Sequence, residues 1–271
     1  MDLNTITEIQ RPSRLEDLKD WQNGHAYLAG GTWLFSEPQV NTHTLIDLET
    51  LKWPSLTATA EGLQIAATCR VIELEKFVAP AEWLAAPLIS KCCHSFLASF
   101  KIWNEATVGG NIVMSLPAGP MTSLTASLEG VITLWPRGGE PRSMPVTDFV
   151  TGNHQNVLQP GELVRSIFLP AHALKKQHAF RRFTLTHLGR SETLIVGTRC
   201  PEHGEFVLTI TASTLRPMQF AFQGIPTAAE MSTAIDGIPL DQFLSDTHGS
   251  PEHRQHLTYY FSEQIRQELS A

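Results

Sequence analysis

Two of the three Gly-Gly pairs in the chain limit its backbone more than any other feature. Gly30-Gly31 stands in AYLAGGTW (26–33), and Gly109-Gly110 in ATVGGNIVMSLPAG (106–119). Each follows an apolar stretch and precedes a small polar residue, Thr32 or Asn111. Two adjacent residues without Cβ tolerate positive φ, so successive N–H groups can point into one concavity. Such a nest binds phosphate oxygens, and Thr32, Thr107 and Asn111 would add side-chain donors. Two nests from separate parts of the chain suit a ligand with two phosphate groups. On the residues alone, a pair of tight turns remains the other reading. Neither segment is G-x-G-x-x-G or G-x-x-x-x-G-K-[ST], so the usual dinucleotide and P-loop fingerprints are missing.

A chain of 271 residues, 42% hydrophobic and 17% charged, is long enough for two or three domains with substantial cores. Its formal charge of −7, with no long Lys/Arg run, argues against a nucleic-acid partner. No apolar run reaches the ~18 residues that span a membrane. The first residues, MDLNTITEIQRPSRLEDL, lack the basic and apolar segments of a secretory signal, so a cytoplasmic location is expected. Cys69, Cys92, Cys93 and Cys200 are too few and too irregular for a disulfide framework, a structural zinc site or an iron–sulfur cluster. Adjacent Cys92 and Cys93 would point ~100° apart on a helix and read as buried thiols.

Periodicity sets out the rest. SRLEDLKDWQ (13–22) reads as an amphipathic helix with a Ser13/Glu16 capping box. AYLAGG and HTLIDL read as strands, and GLQIAATCRV alternates Leu63, Ile65 and Ala67 on one face. Residues 87–100 predict one helix, with Pro87 in the first turn and Leu88, Cys92, Phe96 and Phe100 on a stripe. TSLTASLEG reads as a short helix closed by Gly130, VITLW as a strand, PRGGEPR as a hairpin turn and ELVRSIFLP as a strand. HAFRRFTLTH, LIVGTRC and FVLTITAS predict a three-stranded meander, followed by helices at TAAEMSTAI and SPEHRQHLTYYFSEQIRQEL. The last helix would bury Leu257, Tyr260, Phe261, Ile265 and Leu269. A boundary is placed near residues 170–176.

Taken together, AYLAGGTW…LIDL and FKIWNEATVGGNIVMSLPAG resemble the two flavin-binding segments of the FAD subunits of molybdenum hydroxylases, the xanthine dehydrogenase and carbon monoxide dehydrogenase flavoprotein family. LQIAAT, LQPGELVRSIFLP, FRRF and DTHGSPEHRQHL follow in the family's order, so the resemblance covers essentially the whole chain. It implies an α+β protein with a PCMH-type FAD-binding fold: subdomains at 1–52 and 53–170, then a C-terminal α+β domain at 171–271 with an antiparallel sheet plus helices. It implies FAD phosphates against Leu28, Ala29, Gly30, Gly31 and Thr32, with Trp33 closing the loop. A second nest is implied at Thr107, Val108, Gly109, Gly110 and Asn111, with Ser115 beyond. Leu97, Leu163, Val164 and Arg182 would meet the flavin ring and its edge, Arg182 standing where the family usually has Lys.

The resemblance also implies partners. A molybdopterin-binding large subunit would hold the molybdenum cofactor, and a small subunit the [2Fe–2S] clusters. Electrons would pass through FAD to NAD⁺ or another acceptor. Three positions depart from the family pattern: Pro120 where an FAD-contacting Asp is expected, Trp103 in place of Arg, and Trp33 where a small or acidic residue is commoner. They leave a second reading open, a non-catalytic assembly or scaffold subunit with a degenerate flavin fold. Trp53, Trp83 and Trp103 are candidates for partner-facing surfaces, with core packing the alternative. Cys200-x-x-His203 offers one metal-ligand pair, short of a site.

Overall fold

Leu45 and Ile46 are almost fully buried, and the strand that carries them is the middle of a small parallel sheet. β1 (Glu8–Gln10), β2 (His25–Leu28) and β3 (Thr44–Asp47) lie in the order β1-β3-β2. The computed structural model describes residues 3–18, 21–136 and 138–271. The helix expected at 13–22 is a single 3-10 turn at Leu15–Asp17, and residues 19 and 20 of that segment lie outside the described residues. The capping acid is Asp17, not Glu16: its Oδ2 accepts from the Ser13 and Arg14 amides at 3.1 and 3.0 Å.

Beyond β3 the chain enters an antiparallel sheet in the order β4-β5-β10-β6-β7. Its members are β4 (Leu56–Thr59), β5 (Gly62–Ala66), β6 (Val131–Trp135), β7 (Arg142–Pro145) and β10 (Leu163–Pro170), with the ribbon of β8 (Val150–Gly152) and β9 (Gln155–Asn156) between β7 and β10 in the chain. Alternation places Leu63 and Ile65 opposite Leu169 and Ile167, all fully buried. Each such side chain contributes ~1.5–3 kcal/mol of burial. Helices α1 (Val71–Glu75), α2 (Pro87–Cys93), α3 (Phe100–Glu105), α4 (Val108–Val113), α5 (Pro120–Ser127) and α6 (Val146–Phe149) accompany this sheet.

The single helix expected at 87–100 is interrupted at residues 94–99. Ser95 Oγ bonds back to the Lys91 carbonyl at 2.8 Å, and past the break Phe100, expected on the core stripe, is exposed, as is Leu97. Every residue of α5 is buried, including Ser123, Thr125 and Ser127, whose hydroxyls bond to main-chain carbonyls one turn back.

After α7 (Ala171–Leu174), β11 (Gln177–Phe183), β12 (Thr193–Arg199), β13 (Phe206–Thr211) and β14 (Met218–Phe222) form an antiparallel meander. β14 is a fourth strand beyond the three expected; MQFAF alternates, with Met218, Phe220 and Phe222 against the core. α8 (Ala228–Asp236) and α9 (Pro251–Ser270) cover one face. Thr227 caps α8 in a box with Glu230, and Ser250 caps α9. On α9 the buried stripe runs through Arg254, Leu257, Thr258, Ser262, Ile265 and Leu269, whereas Tyr260 is exposed. The stripe carries small hydroxyl residues because α9 lies close on β12: a Cβ on Gly197 would sit 2.3 Å from Ile265.

Candidate cofactor site

Both glycine pairs border one cavity, through Gly30, Gly31 and Gly110. A Cβ on Gly30 would lie 1.7 Å from the Glu105 carbonyl oxygen, so the loop after β2 touches the end of α3 backbone to backbone. Gly31 has φ +67°, and Phe35 N closes a turn onto the Gly31 carbonyl at 2.8 Å. Among the described residues, the amides of Gly30, Gly31, Thr32, Trp33 and Leu34 donate to no protein acceptor. Five successive amides without a protein partner, in a loop with a left-handed glycine, are the donors from which an anion-binding nest is built.

Gly109 and Gly110 behave differently. They form the first turn of α4, with Thr107 as its N-cap, and neither has positive φ. All four amides there are engaged: Val108 to Cys69 O at 2.8 Å, Gly109 to Ala67 O at 3.0 Å, Gly110 to Thr107 Oγ1 at 3.1 Å and Asn111 to Thr107 O at 3.0 Å. The second nest expected from the sequence is therefore a packed helix start. A Cβ on Gly109 would meet Ala67 at 2.5 Å, so that glycine serves close helix packing.

Between these segments lies a cavity of about 680 Å³, within the ~300–1,000 Å³ usual for cofactor sites. Ala29, Gly30, Gly31, Thr32, Trp33, Leu97, Thr107, Gly110 and Asn111 line it. Of the remaining sequence candidates, Leu28, Val108, Gly109, Ser115, Leu163, Val164 and Arg182 do not. Leu28 ends β2 behind the loop. Ser115 is fully buried, with its Oγ on the Ile112 carbonyl. Leu163 faces a separate hollow with Tyr27, Trp135 and Gly161, and Val164 is in the core. Arg182 bonds Ser191 Oγ at 2.8 Å and Gly189 O at 2.6 Å, bracing the 184–191 loop from behind.

Pro120 also lines the cavity, at the first position of α5, where a missing N–H costs nothing. The next amide, Met121, donates to Asn111 Oδ1 at 3.0 Å, so Asn111 ties α5 to α4. Trp33 meets His154 across the lining in a tilted ring contact, with centroids 5.7 Å apart.

Sequence reasoning missed the contribution of the C-terminal part: Arg190, Leu244, Ser245 and Asp246. Arg190 Nη2 donates to Asp246 Oδ2 and to His248 Nδ1. Asp246 Oδ1 accepts from the buried Arg254 at 2.8 Å and from the His248 amide at 2.9 Å. Burial would raise the Asp246 pKa, but the His248 amide and both guanidiniums outweigh it and hold the carboxyl below its usual range. DTHGSPEHR already shows an Asp ahead of a capped helix, which is the one local signal for this group; Arg190, alone in a loop, gives none.

The other singled-out residues lie elsewhere. Trp83 is core, Trp53 packs against the core with Arg165 stacked 4.2 Å from its ring centre, and Trp103 is half-buried beside His94. Burial pushes the Cys69 and Cys93 thiols up to about 12 and raises Cys92 as well. Cys200 Sγ lies 3.2 Å from His203 Nε2, and among the described residues no third ligand completes a metal site.

Comparison with known proteins gives a consistent picture. Residues 5–172 match the model of a family described as the FAD binding domain in molybdopterin dehydrogenase. The chain is 25% identical over 158 residues to the carbon monoxide dehydrogenase medium chain of Hydrogenophaga pseudoflava, a match spanning 58% of this chain and about half (52%) of that protein. The fold resembles quinoline 2-oxidoreductase from Pseudomonas putida 86, with a TM-score of 0.81 and 18% identity over 99% of this chain and 98% of that one. It also resembles Hydrogenophaga pseudoflava carbon monoxide dehydrogenase lacking the Mo-pyranopterin moiety, at 0.79 and 17% over 96% of each chain.

Proposed function

The chain belongs to the family of FAD-binding domains in molybdopterin dehydrogenases, and on that premise we propose that it holds FAD in the 680 Å³ cavity as the flavin subunit of a heteromeric molybdenum hydroxylase. The observation that carries this reading is the run of five amides without a protein partner, Gly30 to Leu34, on residues that line the cavity. The residues present fit the cofactor: four side-chain-free positions, Gly30, Gly31, Gly110 and Gly119, Thr107 with a hydroxyl, and a largely apolar remainder for a planar ring.

Bound FAD would supply redox chemistry that no side chain provides. The protein's part is to bind and orient. The Gly30–Leu34 amides would hold the diphosphate, and Thr107 and Asn111 would present polar edges. Trp33, Leu97 and Ile102 would exclude water from the apolar part. Leu28, Val108, Gly109, Ser115, Leu163, Val164 and Arg182 would act from behind by fixing those walls.

The relatives are subunits of oxidoreductases, and we extend that role to this chain. Its partners would be a molybdopterin-binding large subunit and a [2Fe–2S] small subunit. Electrons would arrive from the iron–sulfur clusters and leave to NAD⁺ or another acceptor. On this reading the subdomains would run 1–52, 53–170 and 171–271, each carrying one of the three main sheets.

The test is optical. The purified full chain should show the flavin absorption bands and release one FAD per chain on denaturation. A colourless chain that takes up no added FAD would overturn this reading and leave the scaffold subunit in its place.

A further inference from the structure

The cavity has an electrostatic problem that one residue solves. A dianionic diphosphate in a mostly apolar cavity needs a counter-charge, because neutral amides supply only partial charges. Among the described lining residues, Arg190 is the only Lys or Arg, and Asp246 is the only carboxylate. Asp246 does not neutralise Arg190 fully, since it also accepts from the fully buried Arg254. Arg190 uses only Nη2 for Asp246 and His248. Its Nε is buried without a partner, and Nη1 donates to no protein acceptor among the described residues. The guanidinium is thus anchored through Nη2 and keeps its charge and the N–H groups of Nη1 for a phosphate oxygen.

We propose that Arg190 is the diphosphate-recognising cation of this cavity, supplied by the C-terminal part of the chain. The inference rests on the FAD reading above. Arg182 and Asp246 are its positioning residues: Arg182 braces the loop through Ser191 and Gly189, and Asp246 holds the guanidinium at the wall. The oxidised flavin ring is neutral and makes no comparable demand, so the phosphates are the partner.

The experiment measures the affinity of the full chain for FAD, ADP and riboflavin in wild type, Arg190→Gln and Arg190→Lys, with melting temperature recorded for each. Arg190→Gln should weaken FAD and ADP by ~10- to 100-fold, the loss of one charged hydrogen-bond donor, and leave riboflavin unchanged. Arg190→Lys should recover most of the ADP affinity, and added salt should weaken ADP binding more in wild type than in Arg190→Gln. Equal weakening of riboflavin would mean that Arg190 merely holds the walls together, and unchanged ADP binding would mean that it meets no phosphate; either overturns the inference. A wild type that binds no FAD at all fails the cofactor reading first and this inference with it.

Discussion

Gly30 has no room for a methyl group, because the Glu105 carbonyl occupies the position its Cβ would take. Gly110 is less confined: its Cβ would meet only Thr107 Oγ1, at 2.8 Å. Gly30→Ala is therefore expected to destabilise the chain by about 1–3 kcal/mol through forced backbone separation, and to lower FAD uptake. Gly110→Ala should cost about 1 kcal/mol, by displacing the Thr107 cap. Denaturant titration of both variants checks the order, and a milder effect at Gly30 would contradict it. That something special happens at both glycine pairs is legible in the residues. Their division of labour is not: whether an amide is free or spent depends on Ala67, Cys69 and Glu105, which are distant in the chain from one or both pairs.

Helix α5 begins at the cavity wall with a proline, and its first available amide is capped from another helix by Asn111. Asn111→Ala should lose about 1 kcal/mol of stability with that cap. Asn111→Asp retains an acceptor suited to capping, so its melting temperature should stay near wild type. Its added anion beside a bound phosphate costs on the order of 1–4 kcal/mol of affinity, or ~10-fold or more in FAD binding. Parallel loss of stability and affinity in Asn111→Asp would argue against this placement. Elements with local instructions are the ones a reader of the sequence can find. α8 and α9 announce themselves through Thr227, Glu230 and Ser250, and β5 and β10 through strict alternation. The break at 94–99 goes with the local bond from Ser95 Oγ to the Lys91 carbonyl, and the 3-10 turn at Leu15–Asp17 with the Asp17 carboxylate on the Ser13 and Arg14 amides, side-chain choices that an amphipathic pattern does not show. β14 was legible in MQFAF but short.

Lys176 joins the larger bodies of the molecule. Its side chain is 3% exposed and bonds Glu129, just past α5, at 2.5 Å and Glu205, just before β13, at 2.7 Å. Burial disfavours its charge, but the two carboxylates outweigh this and raise its pKa. Burial likewise opposes ionisation of Glu129, and Lys176 with His172 lowers its pKa nonetheless. The Glu129 contribution to stability is present above its ordinary 4.5 and is lost as pH falls through the depressed folded value. The Lys176 contribution is complete below 10.5 and is lost as pH rises through the raised folded value. Lys176→Met should cost about 3 kcal/mol near neutrality, at the low end for a broken buried pair because both carboxylates remain partly exposed. It should also flatten the acid and alkaline limbs of a stability-versus-pH curve; unchanged limbs would show that other groups set them. The sequence marks a boundary near residues 170–176, but nothing local to Lys176 says that its partners stand 47 and 29 residues away.

The cavity lining begins at Tyr27 and ends at Asp246. During synthesis, the receptor loop after β2 leaves the ribosome long before the arginine and aspartate that close the opposite wall. No partial product contains a finished site, and the early loop has only water for a partner while it waits. A complete lining thus exists only once Asp246 has been made and has folded back against the loop after β2.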